Sequence, residues 1–77
     1  MIVIKFLSMN QVINYHTIIC TKDDIFAHIE EEVYQTFPDF KNLNNTCLAN
    51  GNTILRFKTI VENNLQNGVV VQIIPQE

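Results

Sequence analysis

The chain has 77 residues, enough for one hydrophobic core and no second one, because a chain this short buries only roughly 60 to 65% of its unfolded surface. Hydrophobic residues make up 47% and charged residues 17%, a globular composition outside the disordered class. The formal net charge of -3 has the wrong sign for affinity built on phosphate neutralisation and argues against a nucleic-acid partner.

Met1 to Ser8 is an apolar segment with Lys5 inside it, and placing Lys5 in water sends Ile2, Ile4 and Phe6 to the core by the period-2 rule. Met9-Asn10-Gln11 breaks the run. Val12 to Cys20, rich in Val, Ile, Tyr and Thr, reads as the second strand of a hairpin. Its faces compete, with Tyr15, Thr17 and Ile19 on one side and His16, Ile18 and Cys20 on the other. We favour Ile18 and Cys20 inward.

At Thr21-Lys22-Asp23-Asp24 the pattern becomes helical, and an Asp ahead of Ile25 is expected to accept hydrogen bonds from the first free N–H groups. Ile25, Phe26, Ile29 and Val33 form the apolar stripe, while Glu30, Glu31 and Glu32 fall mostly off it and are expected in water. Pro38 should end the helix near Thr36 and open a polar loop through Asn45, with Phe37 or Phe40 closing the lower core. Thr46 to Ala49 is a short strand, Asn50-Gly51 a tight turn, and Thr53-Ile54 a brief return. Leu55 to Asn64 reads as a loop with a helical turn around Ile60. Asn67-Gly68 then precedes Val69 to Ile74, a β-branched run expected to be a well-buried strand. The predicted class is α+β, in one domain spanning residues 1–77.

Two ungapped stretches carry a resemblance. Thr46-Cys47-Leu48-Ala49-Asn50-Gly51-Asn52-Thr53-Ile54 resembles the third strand, glycine turn and following leucine of ubiquitin. Lys58-Thr59-Ile60-Val61-Glu62-Asn63-Asn64-Leu65-Gln66 resembles its basic-Thr-Leu-polar-acidic-x-Asn-Ile-Gln segment. The first half is similar in pattern only, and the loop after the helix is about one residue longer. The resemblance to the ubiquitin-like family implies a β-grasp: a mixed four- to five-stranded sheet in the order 2-1-5-3 packed on one α-helix, with the first and last strands parallel. It places Ile60, Leu65, Val71 and Ile73 in the core, and for Val71 and Ile73 the period-2 reading of Val69 to Ile74 agrees.

The opposite sheet face then carries Leu48, Val70, Gln72 and Ile74, with Lys5 and Leu7 beside them. In ubiquitin the corresponding surface is the aliphatic patch that receptors grip. Leu48 and Ile74 match its central isoleucine and its valine, and Gln72 replaces its histidine. Ordinary β-formers on a half-exposed strand would give the same pattern. Leu55, Phe57 and Val61 are apolar where the corresponding ubiquitin segment is polar or glycine, and stand either as a secondary contact surface or as buried loop packing.

Conjugation in that family needs a terminal Gly-Gly, and this sequence reads Ile73-Ile74-Pro75-Gln76-Glu77, so as written it is expected to be non-conjugating. A longer precursor would be the exception. Cys20 and Cys47 lack CxxC spacing and are expected as buried thiols. Asn44-Asn45-Thr46 is read as loop polarity and not a glycosylation site. Asp24, His28 and Glu32 share one helix face at i+4 spacing but are expected to be solvated. Neither a catalytic constellation, a cofactor motif nor a metal set is expected, and the two cysteines fall short of the four a ferredoxin cluster needs. No apolar run approaches the roughly 18 residues of a spanning helix, and Met1 to Asn10 lacks signal-peptide features; cytoplasm or nucleus is the default expectation. The functional expectation is a non-catalytic interaction module or adaptor that binds a protein partner through Leu48, Val70, Gln72, Ile74 and Lys5, with Leu55 and Phe57 secondary. The alternatives are a structural subunit held permanently in a large assembly, and a modifier made as a longer chain.

Overall fold

A computed structural model of the chain describes residues 1–76. The elements in order are β1 (Ile2–Ser8), β2 (Asn14–Cys20), α1 (Phe26–Thr36), a 3-10 turn (Pro38–Phe40), β3 (Asn44–Ala49), β4 (Asn52–Thr53) and β5 (Val69–Gln76). The strands form one mixed sheet in the order β2-β1-β5-β3-β4, with β1 and β5 parallel and the other pairs antiparallel. The expected order 2-1-5-3 is found, and β4 adds a short strand beyond β3. The result is a compact α+β domain with one helix.

Alternation in β1 buries Ile4, Phe6 and Ser8 and leaves Lys5 exposed, because α1 covers one face of the sheet. In β5 the same rule buries Val71 and Ile73. Val70 and Gln72 face outward, as the period-2 reading of this strand expects. Phe26, Ile29 and Val33 supply the helix side of the core, and the rings of Phe26 and Phe6 lie 6.1 Å apart. Ile60 and Leu65 are buried as expected, and in β2 Cys20 is buried with Ile18 packed against the core. Of the two phenylalanines below the helix, Phe40 is buried, while half-buried Phe37 stands in a T-shaped arrangement with His16, ring centroids 5.2 Å apart.

The helix start differs from its expectation. Asp24 does not cap α1; its Oδ2 accepts the Thr21 N–H at 2.8 Å and closes the turn after β2. The Phe26 and Ala27 N–H groups donate instead to the carbonyls of Lys58 (3.0 Å) and Arg56 (2.8 Å). Ile60 N–H reaches Asp24 O at 2.9 Å and Val61 N–H reaches Lys22 O at 3.0 Å. A distant backbone segment therefore satisfies donors that side-chain capping would otherwise serve.

The hairpin also shifts. β2 starts at Asn14 and not Val12, Val12 is exposed, and Ile13 is fully buried. Tyr15, at φ 54°, is the extra residue of a bulge where the register jumps between Phe6 and Leu7. Asn50 and Gly51 both have positive φ, which the two-residue β3–β4 turn requires. Pro75 pairs with Asn45, beyond the end of the β1 ladder at Ile73. The last residue of the tail considered above, Glu77, lies outside the described residues.

Candidate protein-docking surface

The outer face of the sheet is assembled from alternate residues of β1, β2, β3 and β5. Register sets the rows: Leu7 opposes Gln72, which opposes Leu48; Lys5 opposes Val70; Ile74 opposes Thr46. Leu48 and Ile74 are half-buried, Val70 is 37% exposed, and Gln72 and Lys5 are exposed. The five residues singled out in the sequence are thus brought together on one surface with Leu7. Val3 and Ile19, paired in the next row and 63% exposed at Ile19, extend the same face and were missed. The signal was available: with Ile18 and Cys20 inward, Ile19 must point out beside Val3.

Charge is distributed unevenly. Among the described residues, Lys5 is the single charged side chain in the five strands, although the chain carries a formal net charge of -3. Among the described residues, the acidic ones sit on α1 and in the connections. The sheet face is therefore an aliphatic field around Gln72 with one cation at its side, and such a surface offers shape and apolar area without a reacting group.

A second assembly lies on the other side of the molecule. Glu30, expected in water, is 3% exposed, and this is a correction. Its carboxylate takes Arg56 Nε at 2.6 Å and Nη2 at 2.9 Å, the Tyr34 hydroxyl, and the Cys47 thiol at 3.6 Å. Arg56 also donates to Asn45 O at 2.8 Å. Four donors on one carboxylate explain why a charged residue is tolerated in the interior. The hydrogen bond to Glu30 raises the Arg56 pKa. Burial, together with the Glu30 charge, pushes the Cys47 thiol up to about 12. Burial, then the bond to Glu30, pushes the Tyr34 hydroxyl above its ordinary value. Burial and the Asp24 and Glu32 charges raise Cys20 as well. Buried, protonated thiols are poor nucleophiles. Among the described residues, no group of three or more His, Cys, Asp or Glu side chains is placed to hold a metal ion.

The segment carrying Leu55 and Phe57 is held by hydrogen bonds, and its apolar side chains are exposed, Phe57 at 80%. Asn63 brackets Leu55, accepting its N–H at 2.8 Å and donating to its carbonyl at 2.9 Å. Thr59 and Glu62 form a reciprocal capping box, Thr59 N–H to Glu62 Oε1 at 2.9 Å and Glu62 N–H to Thr59 Oγ1 at 3.1 Å. Those Thr59 donors hold the Glu62 carboxyl below its usual pKa. The sequence Thr59-Ile60-Val61-Glu62 carries the capping-box signature, which identifies this turn once it is looked for.

No helix among the described residues is long and apolar enough to cross a membrane. No family model matches the chain, and no curated protein matches it.

Proposed function

We propose that this chain is a non-catalytic, ubiquitin-like binding module of the β-grasp type, and that it docks a partner protein on the outer face of its sheet. The observation that carries the reading is the row Leu7, Gln72, Leu48 with Val70 and Ile74 on either side, left uncovered while α1 buries the opposite face. Lys5 and Gln72 supply a polar margin to this aliphatic centre, the arrangement of a protein interface. A fitting partner presents apolar side chains with a carboxylate opposite Lys5. The sheet order with parallel β1 and β5 supports the family reading.

The test is recovery of the native complex followed by binding measurements on Leu48→Asp and Ile74→Ala. Leu48→Asp should weaken binding by at least about 30-fold, the loss expected when a central contact is destroyed, with the circular dichroism spectrum unchanged. Full affinity in Leu48→Asp would refute this surface.

A second reading, a structural subunit permanently embedded in an assembly, is favoured by Phe57, 80% exposed on a segment whose backbone Asn63 ties down at Leu55. It requires the isolated chain to aggregate progressively, whereas a module remains dispersed. The weaker alternative, a modifier made as a longer chain, requires isopeptide-linked products detectable by mass spectrometry.

A further inference from the structure

The two edges of the sheet are finished differently. On the β3 side, β4 is only two residues long, Ile54 N–H covers the Cys47 carbonyl at 2.8 Å, and Arg56 covers the Asn45 carbonyl. On the β2 side, among the described residues, the backbone from Asn14 to Cys20 receives nothing from outside β1 except Thr17's own hydroxyl, which donates to Tyr15 O at 3.2 Å. This edge has no proline, lysine or acidic residue in its seven positions. Among the described residues its only interruption is the bulge at Tyr15, and His16 to Cys20, paired with β1 on one side, meet no strand on the other.

An unpaired edge is specific about its occupant, because alternating N–H and C=O groups are satisfied together only by another strand. We propose that β2 pairs antiparallel with β2 of a second copy of this chain, forming a closed two-fold dimer whose sheet runs continuously through both copies.

The edge is self-complementary. A two-fold axis near Thr17 and Ile18 sets one uncharged strand against another, so no like charges meet even though each chain carries a formal net charge of -3. Ile19 and Tyr15, 63% and 54% exposed, are brought beside the partner copy's strand. With the axis at Thr17, Ile19 opposes the second copy's Tyr15; with the axis at Ile18, it opposes Thr17. Either pairing covers an apolar side chain that the single chain leaves in water. One short strand pair buries less than the roughly 1,200 Å² of a stable complex, so the dimer is weak and concentration-dependent. Being isologous it stops at two copies, unlike open aggregation. The inference does not rest on the docking reading, because it uses the sheet edge and not the centre of its face.

Sedimentation velocity on the full chain tests it. The wild type should pass from monomer to dimer below about 1 mM, and the double variant Thr17→Lys, Ile19→Lys should remain monomeric with an unchanged circular dichroism spectrum. Thr17→Glu, Ile19→Glu should also be monomeric, and mixing the two variants should restore dimer, because each register then opposes unlike charges. Leu48→Asp should dimerise as the wild type does. A wild type that is monomeric throughout, a mixture that stays monomeric, or loss of the dimer in Leu48→Asp would each overturn the proposal. So would protection of the β2 amides only on adding a foreign extended peptide, which would assign the edge to another protein.

Discussion

Arg56 reaches across the molecule to grip Glu30 with two parallel hydrogen bonds, Nε to Oε1 at 2.6 Å and Nη2 to Oε2 at 2.9 Å. The pair joins the middle of α1 to the segment that supplies the helix with its N-terminal acceptors, and the same guanidinium closes the free edge of β3 at Asn45. One side chain thus ties helix, loop and sheet edge together.

Removing Arg56 should cost more than a surface ion pair. Glu30 would be left buried with only Tyr34 and Cys47 as donors, and breaking a fully buried pair costs roughly 3–5 kcal/mol. The Arg56 side chain is 41% exposed, so water can reach the site and the expected loss for Arg56→Ala is smaller, about 2 kcal/mol. Arg56→Lys should fall between, keeping the charge but losing the fork. Urea unfolding of the three proteins checks the order; equal stability of Arg56→Ala and wild type would reduce the pair to an incidental contact.

Stability should decline at alkaline pH. Cys47 has its folded-state pKa raised from 9.0 to about 12, so its contribution is fully present below about 9 and is lost as pH rises toward 12. Between those values the unfolded chain releases a proton that the folded chain retains, at about 1.4 kcal/mol per pH unit. Tyr34 and Cys20 shift in the same direction and steepen the decline. Unfolding free energies at pH 8, 9 and 10 for the wild type and Cys47→Ala should show a shallower fall in the variant. Both thiols should react with a thiol reagent only on unfolding.

Much of the fold was legible in the sequence because it depends on short-range periodicity. Lys5 orients β1, and Val71 and Ile73 orient β5, so the outer face containing Gln72 follows from alternation alone. Glu30 was misplaced for a physical reason: Phe26, Ile29, Glu30 and Val33 themselves form an i, i+3, i+4, i+7 stripe, and Glu30 occupies an apolar slot only because Arg56 meets it there. No local rule brings the chain's single arginine to that point. Asp24 fails as a cap for a related reason, since the Lys58 and Arg56 carbonyls already satisfy the first helix donors. The bulge at Tyr15, with no Gly or Asn at that position, gave no signal and moved the start of β2.

Asn63 is expected to control the presentation of Leu55 and Phe57. Its amide replaces a backbone partner, accepting from Leu55 N–H and donating to the carbonyls of Leu55 and Thr59 at 2.9 and 3.1 Å. Asn63→Ala should cost about 1–2 kcal/mol and accelerate hydrogen exchange at Leu55 while leaving the β1 and β5 amides protected. Asn63→Asp keeps the shape but loses the donors, and should behave like the alanine variant. Unchanged exchange at Leu55 in both variants would show that other contacts hold the segment.

The neighbours Ile73 and Ile74 provide an internal control for the docking surface, because identical side chains point to opposite faces of one strand. Ile73 is fully buried between β1 and β3, opposite Ser8 and Cys47, and Ile73→Ala should cost about 2–5 kcal/mol through lost transfer energy and the cavity left behind. Ile74 is half-buried beside Thr46, where water and neighbouring side chains can close over a truncation. Ile74→Ala should therefore cost about 1 kcal/mol or less, although the two substitutions remove the same atoms. Urea midpoints measured at one pH decide the matter. A loss at Ile74 as large as that at Ile73 would mean that the outer face is itself a packed core that stabilises the fold. A small loss at Ile74 combined with a large loss of partner affinity would place its contribution in binding.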